Sequence, residues 1–382
     1  VNKRRKVALL IETSNAYARG LLQGVVRYIR EHSPWSFYIP EQGRGDIPPS
    51  WLANWQGDGI IARIENVAIA RSVAASGLPA VDVSAARLLP FLPWVETDDQ
   101  AISRLAAEHL LDRGFKHFGF CGDARFNWSN WRADHFEKAI QQARRQCHHY
   151  RSSISPLAPL EEQVSDIARW LRKLPKPVAV MACYDIRGQQ VLDACRSAGL
   201  AVPDEVAVIG VDNDALLCDL SSPPLSSVIP NTQRTGYEAA ALLDQMMSGK
   251  SLPPGPHLVG PLGVATRQST DVLAIADRHI AQAARYIREH ACEHINIEAV
   301  LKVVPLSRRK FETRFKKLLG HTPHEEITRV RMNRVKELLT ETELTLAEIA
   351  ERTGFEHVEY LSAAFKKKVG LPPNRYRTRN QK

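Results

Sequence analysis

Residues 365–373 read Phe-Lys-Lys-Lys-Val-Gly-Leu-Pro-Pro, and residues 315–323 read Phe-Lys-Lys-Leu-Leu-Gly-His-Thr-Pro. Phe315, Lys316, Lys317, Gly320 and Pro323 recur as Phe365, Lys366, Lys367, Gly370 and Pro373, at a constant offset of 50. In each copy an inward Phe is followed by a Gly that ends one helix and a Pro that opens the next. Ser307-Arg308-Arg309-Lys310 then falls opposite His357-Val358-Glu359-Tyr360. A helix-turn-helix pattern repeated in tandem places two recognition helices on one short unit, able to enter successive turns of a DNA major groove.

The charge distribution agrees. The 382 residues carry a net charge of +9. Residues 274–382 hold 22 Lys+Arg against 14 Asp+Glu, while residues 1–273 hold 29 against 28. Nearly all the excess therefore lies on the segment with the repeat, which implies a phosphate-backbone binder attached to a neutral domain. The six cysteines (121, 147, 183, 195, 218 and 292) have no C-x-x-C spacing, as expected of a chain that folds without disulfides in a reducing cytoplasm. No apolar run approaches the length of a membrane span. The basic start Lys3-Arg4-Arg5-Lys6 precedes only five apolar residues, which read as a first strand and not as a signal peptide.

The length suits two or three domains. Apolar runs at 7–11, 37–39, 59–62, 80–83, 117–121, 178–181, 206–211 and 258–264 predict strands. Amphipathic stretches at 16–31, 99–113, 131–146, 161–173, 188–198 and 232–247 predict helices between them. This alternation implies parallel, doubly wound sheets covered by helices, with two lobes of four to six strands fitting the length better than one sheet of eight. Pro253-Pro254-Gly255-Pro256 reads as a turn before a final strand. The strand pattern stops at 266–272 and everything after it is helical, so an α/β sensor is expected at 1–272 and an all-α domain at 273–382.

In that second domain helices are expected at 275–290, 297–302, 307–319, 323–339, 345–352 and 357–369. The two helix-turn-helix motifs fall at about 297–319 and 345–369. Ser307 and Thr345 stand as N-caps, Gly354 makes a turn, and Phe311, Phe315, Leu318, Leu361 and Phe365 point inward. Ala350, Gly354-Phe355, Tyr360-Leu361, Phe365-Lys366, Gly370, Pro373 and Tyr376-Arg377 stand at the spacings of the second motif of the AraC family of transcription regulators, which this segment resembles. Leu361 replaces a Phe of that pattern, and Pro305 replaces the usual Gly of the first motif. The DNA-contacting candidates are Ser307, Arg308, Arg309, Lys310, Arg314, His357, Glu359, Tyr360 and Lys366. Arg308 and Arg309 suit guanine edges or phosphates; Glu359 suits a cytosine amino group or simply keeps its helix soluble. Lys366–Lys368, Arg375, Arg377 and Arg379 suit backbone or solvent.

Three features mark the first domain: Gly210-Val211-Asp212-Asn213 at the end of an apolar run, Arg267-Gln268-Ser269-Thr270, and Arg132 four residues before Phe136. Together with residues 199–212 they resemble the LacI-type effector domain, which implies a two-lobed periplasmic-binding-protein-like fold. A sensor of that type before an AraC-type domain, with Asn15-x-Tyr17 and Tyr286-Ile287-Arg288-x2-Ala291-Cys292, resembles the family of bacterial xylose operon regulators. The resemblance implies a cleft in which Asp212 and Arg132 bind sugar hydroxyls in pairs. Asp185, Asn15, Tyr17, Arg19 and Glu12 lie near strand ends where ligands collect in open α/β sheets, and Trp128 offers an aromatic face that serves either stacking or core packing.

The expected function is a sugar-responsive, DNA-binding transcription regulator, in the cytoplasm at the nucleoid, acting as an activator. Its expected partners are double-stranded operator DNA, a monosaccharide such as D-xylose, a second copy of the chain in a homodimer, and RNA polymerase. A non-sugar effector, or a ligand-free sensor that signals by protein contact, remains the alternative. No P-loop, G-x-G-x-x-G after the first strand, G-x-S-x-G elbow or zinc-type cluster appears, so neither an enzyme nor a cofactor or metal is expected. His148-His149 is a lone pair that suits the surface, and residues 43–46 resemble a turn.

Overall fold

The computed structural model describes residues 4–32, 34–41, 43, 46–155, 158–271, 277–342 and 344–380. The chain forms two compact units, Val1–Val272 and Leu273–Lys382. The boundary expected at 272 and 273, residues 275 and 276 of the expected helix, and Arg44 and Gly45 of the expected turn lie outside the described residues.

The first unit contains β1 (Lys6–Leu10), β2 (Ser36–Tyr38), β3 (Gly59–Ala62), β4 (Ala80–Asp82), β5 (Pro93–Thr97), β6 (His117–Cys121), β7 (Cys147–His149), β8 (Val178–Ala182), β9 (Val206–Val211), β10 (Ser226–Ile229), β11 (Gly255–Val259) and β12 (Gly263–Ala265). They make two six-stranded sheets, β11-β5-β4-β3-β1-β2 and β12-β10-β9-β8-β6-β7. The first is parallel throughout, and in the second only β12 runs antiparallel. Helices cover both faces, which is why β3, β8 and β9 are buried at every residue and read as unbroken apolar runs.

The expected strand at 258–264 is two strands in two different sheets. β11 ends at Val259 in the first sheet, and the chain then crosses to β12 in the second. Gly255 and Pro256 already belong to β11 and not to a turn ahead of it. β5, β7 and β10 escape a hydrophobicity reading because β5 opens with Pro93 and carries Glu96, β7 contains two histidines, and β10 opens with two serines. Helix Val67–Ser76 was likewise not expected.

Helices Ala16–Glu31 and Thr232–Met247 pack against each other at very short range. A Cβ on Gly24 would lie 2.0 Å from the Gln233 carbonyl oxygen, and one on Gly236 would lie 1.9 Å from that of Leu21. The second helix thereby returns the chain from the second sheet to the first, ahead of β11.

Residues 267–270 are clasped onto the second sheet. The Ser269 hydroxyl donates to the Val208 carbonyl at 2.6 Å, and that of Thr270 donates to Ser226 Oγ at 2.7 Å. Arg113 Nε donates to the Thr270 carbonyl at 2.6 Å, and His109 Nε2 lies 2.8 Å from Thr270 Oγ1.

The second unit is helical: Arg278–His290, Ile297–Leu301, Arg308–Leu319, Pro323–Glu341, Leu346–Arg352, Val358–Val369 and Pro373–Asn380. It has two cores. Phe311 and Phe315 pack with Ile280, Ile287, Val300 and Ile327; Leu361 and Phe365 pack with Met332, Val335, Leu339 and Ile349. Helix Pro323–Glu341 contributes Ile327 to one and Met332, Val335 and Leu339 to the other, so a single 19-residue rod carries both motifs. Capping boxes at Thr322/Glu325 and Thr345/Glu348 fix where the rod and the short helix Leu346–Arg352 begin. Gly354 turns with φ +72°. Two expectations need correction. Leu318 is 42 % exposed, and Leu319 beside it packs against the core of Phe311 and Phe315 instead. Ser307 occupies the N-cap of its helix, yet its side chain makes no capping bond.

Burial, then the nearby Arg113, lowers the pKa of His109 from 6.5 to about 3. The unfolded chain therefore takes up a proton at this site near pH 6.5 while the folded chain resists, so the stability it gives is full above that pH and declines as pH falls through the window toward 3. His109→Gln retains a polar partner for Thr270 but does not titrate. The melting-temperature advantage of wild type over this variant should shrink between about pH 7 and about pH 5; an advantage constant with pH would refute the assignment.

Candidate functional site

A cavity of about 320 Å³ opens at the carboxyl ends of the strands of both sheets. Its walls come from the segments after β1 (Ser14, Asn15, Tyr17), β3 (Arg63) and β4 (Val83, Ala85), and from Glu96, Thr97 and Asp99 at the end of β5. The second sheet contributes Trp128, Arg132, Tyr184, Asp185, Asp212, Asp214 and Leu217. Open α/β sheets place ligands here because helix starts and loops converge at strand ends.

Arg132, in helix Asn127–Gln142, is 4 % exposed. Its Nε donates to Asp99 Oδ1 at 2.6 Å and its Nη1 to the Cys183 carbonyl at 2.6 Å. Burial opposes its charge, but Asp99 and Asp212 outweigh burial and raise its pKa further. The guanidinium lies 5.0 Å from the Trp128 ring, which meets Tyr184 edge-on at 5.5 Å. Phe126 stacks on Trp128 at 5.2 Å, and Trp131 takes Arg87 over its ring at 4.2 Å. Trp128, the expected aromatic platform, lines the cavity, and Phe126 and Trp131 do not.

Asp212 follows β9 with φ +107°, and Asn213 follows it at φ +46°. Such angles cost a non-glycine residue about 1–3 kcal/mol and persist where the surroundings impose them, often at ligand sites. Asp185 opens helix Asp185–Ala198 and is 1 % exposed. Burial, then Asp212, raises its pKa well above the usual carboxylate range. Asp185 lines the cavity, yet both its oxygens already accept bonds, from Ser227 Oγ at 2.6 Å and from the Asp214 amide at 2.8 Å. Gly210 permits this, since a Cβ there would lie 2.3 Å from Asp185 Oδ1.

Asn15 and Tyr17 line the cavity as expected. Asn15 also caps helix Ala16–Glu31, accepting from the Ala18 amide at 2.8 Å. Tyr17 OH lies 3.4 Å from Thr97 Oγ1, and burial raises its pKa. Glu12 and Arg19 do not line the cavity. Glu12 is buried in an ion pair with Arg63 and accepts from Asn15 Nδ2 at 3.0 Å. Arg19 donates to the Thr13 carbonyl at 3.0 Å and lies 3.8 Å from Asp214 Oδ2. Sequence reasoning missed Arg63, Glu96, Asp99, Tyr184 and Asp214. Arg63 directly follows an apolar strand, so its position at a strand end was the available signal.

A second cavity, of about 580 Å³, lies beside β6 and β7. Three carboxylates (Asp123, Asp134, Glu137) and three guanidiniums (Arg125, Arg151, Arg187) line it, so its charges balance. No group of three or more metal-ligating side chains occurs among the described residues.

The recognition helices of the second unit start at Arg308 and Val358. Ser307, Arg308, Arg309, Lys310, Arg314, His357, Glu359, Tyr360 and Lys366 are all exposed. Arg308 is bridged to Glu298 at 2.8 Å and Glu312 at 3.0 Å, and Arg314 lies 3.3 Å from Asp277. Arg309 and Lys310 have no partner among the described residues. Arg377 does not face solvent as expected: it donates to the Leu339 carbonyl in the last turns of the connecting rod and to the Leu344 carbonyl just after it. Lys366 lies in the last turn of its helix, away from the His357 end.

The chain matches models for the XylR N-terminal domain at residues 6–100, a periplasmic binding protein-like domain at 107–270 and a helix-turn-helix domain at 300–379. It is 31 % identical over 386 residues to the xylose operon regulatory protein of Escherichia coli K12, covering 99 % of this chain and 98 % of that protein. The xylose operon regulatory protein of Haemophilus influenzae Rd is 31 % identical over 381 residues, with 97 % and 98 % covered. The solved structure of the xylose-binding transcription activator XylR superposes with a TM-score of 0.84 at 30 % identity over the whole of both chains.

Removing Arg132 leaves Asp99 buried and unpaired, which costs about 3–5 kcal/mol. Arg132→Ala should therefore lower the melting temperature of the chain as well as abolish its response to ligand. A variant that melts like wild type would show that the pair with Asp99 carries no weight in the fold.

Proposed function

The chain belongs to the family of xylose operon regulatory proteins, and we propose that it is a sugar-responsive transcription activator whose effector is D-xylose or a close relative. The observation that carries this reading is the convergence of Asp212 and Arg132 on one cavity that Tyr17, Trp128 and Tyr184 also line. A carboxylate accepts from two hydroxyls, a guanidinium donates to two more, and aromatic faces cover the apolar side of a sugar ring. Asp212, Arg132, Asn15, Tyr17 and Trp128 are the proposed contacts, with Arg63 added from the geometry. Residues 1–272 form the sensing domain and 273–382 the DNA-binding domain in this reading.

Arg309 and Lys310 meet DNA directly, while Arg308 and Arg314 exchange a glutamate or an aspartate for a phosphate or a base edge. His357, Glu359 and Tyr360 act at the start of the second recognition helix. The active form is a homodimer on paired half-sites that touches RNA polymerase, in the cytoplasm at the nucleoid. In this reading the cavity is a binding site and not a centre of turnover, since its carboxylates and guanidiniums are largely engaged with one another and with neighbouring protein groups.

Calorimetric titration of the full chain with D-xylose, and then with other pentoses, hexoses and their phosphates, tests the sensor. Saturation at about 100 times Kd should stabilise the fold by about 2.7 kcal/mol. Asp212→Asn should weaken binding by about 2 kcal/mol, roughly thirtyfold, because a charge-assisted bond is lost. Silence across the panel would refute the sugar reading and leave a non-sugar effector or a ligand-free sensor.

For the DNA-binding unit, Arg309→Ala should weaken binding to a DNA site selected from a random library by about 1–3 kcal/mol if it reads a base. Lys310→Ala should weaken all sequences alike and lower the salt slope by about 1. If both variants bind as wild type does, the first helix is not the reading head.

A further inference from the structure

The carboxylate of Asp185 belongs to two structures at once, the rim of the cavity and a polar chain that leads away from it. Its Oδ2 accepts the Asp214 amide at 2.8 Å and its Oδ1 accepts the Ser227 hydroxyl at 2.6 Å. Ser227 Oγ in turn accepts the Asn213 amide at 3.0 Å. These three bonds hold the turn that gives Asp212 and Asn213 their left-handed backbone. The Asn213 side chain accepts from Arg267 Nη1 at 2.9 Å, and Arg267 Nε reaches Asp219 at 2.7 Å. The Arg267 amide donates to Ser226 Oγ at 2.8 Å, and Ser226 Oγ donates back to the Arg267 carbonyl at 2.9 Å. Thr270 Oγ1 donates to the same Ser226 Oγ at 2.7 Å, and the Ser226 amide donates to Ser269 Oγ at 2.8 Å. Neighbouring residues of β10, Ser226 and Ser227, thus link the turn at 212–214 to residues 267–270. Those residues are the end of the sensing unit, and the chain then runs on to helix Arg278–His290.

We propose that Asp185 is a positioning residue and not a sugar ligand: through Ser227 and Asn213 it ties the turn that presents Asp212 to the segment leaving the sensing unit, and so couples the cavity to that segment. The inference rests on the sugar-responsive reading of the same cavity. Both Asp185 oxygens accept from protein donors, and Asp212, beside it at φ +107°, lines the same cavity. A ligand that pulls on Asp212 pulls on a turn whose other bonds end at Arg267. Because Ser226 Oγ donates once and accepts twice, its hydrogen-bonding capacity is filled, and moving any one partner disturbs the others.

Two measurements on the full chain decide it, with Ser227→Ala and Arg267→Lys as the principal variants and Asp185→Asn as a third. The first is amide hydrogen exchange without any sugar. Ser227→Ala should speed exchange about tenfold at 213–214 and also at 267–270, with β1 unchanged as the sign of an intact fold. Faster exchange confined to 213–214 would overturn the coupling. The second is affinity for a library-selected DNA site with and without D-xylose. Both principal variants should keep the Kd for D-xylose within about threefold while the ratio of the two DNA affinities falls about fivefold or more. A Kd for D-xylose raised more than about tenfold, with the ratio preserved once the sugar is saturating, would overturn the proposal and return Asp185 and its partners to the ligand-binding set. A wild-type chain whose DNA affinity ignores D-xylose would count against the functional reading for that sugar, and the exchange result would still decide the coupling.

Discussion

The sensing unit is organised around one buried guanidinium. Arg132 joins the start of helix Asp99–Leu111 through Asp99, the end of β8 through the Cys183 carbonyl, and its own helix Asn127–Gln142. Three segments far apart in sequence are thereby fixed at one wall of the cavity. A cation at this depth is tolerable only because Asp99 and Asp212 face it; each carboxylate is in turn tolerable because of the cation. Burial pushes Asp99 up and Arg132 pulls it down, so the pair is a balance that an entering hydroxyl-rich ligand adjusts without having to create it. That is the physical content of preorganisation here: the polar groups are oriented before the ligand arrives, and the cost of orienting them was met during folding.

Asp185 and Asp212 are neighbouring carboxylates with different environments. Asp185 is almost fully buried and doubly bonded to the protein, whereas Asp212 is half-buried and lies on the cavity wall. Burial, then the Asp212 charge, raises the pKa of Asp185. A like charge at close range acts in this direction because ionising both groups is costly. Two residues that carry the same functional group thus stand in different surroundings, which is the basis for the different roles proposed for them.

Much of the fold was legible in the sequence, and the illegible parts have a common cause. β1, β3, β6 and β9 stand out because strands covered on both faces must be apolar throughout. β5 and β10 carry charged or hydroxylated residues that serve the cavity or the clasp, so the chemistry that makes them useful hides them from a hydrophobicity reading, and β7 is a three-residue strand with two histidines. The crossing at 260–262 was invisible because two short strands separated by three residues look like one. For the site, Asp212 and Arg132 were legible through resemblance, and both face the cavity. Asp99 was not, because its role depends on a partner 33 residues away. Glu12 and Arg19 were placed by nearness to a strand end; that rule locates the right end of the sheet without saying which side chains turn inward.

In the DNA-binding unit the basic residues divide into two kinds. Arg309 and Lys310 carry open charge, while Arg308 is held between Glu298 and Glu312 and Arg314 by Asp277. Exposed pairs of this sort are worth only about 0–1 kcal/mol, against about 1–3 kcal/mol for a bidentate contact with guanine. Under the proposed DNA contacts, the acidic partners would yield to a matching base and still reduce the pull of arbitrary phosphate. An allosteric coupling of about 1–3 kcal/mol is the size of one such contact. With both motifs mounted on the single rod Pro323–Glu341, the two recognition helices share one support. A sensor that changes the presentation of this unit need not remodel it.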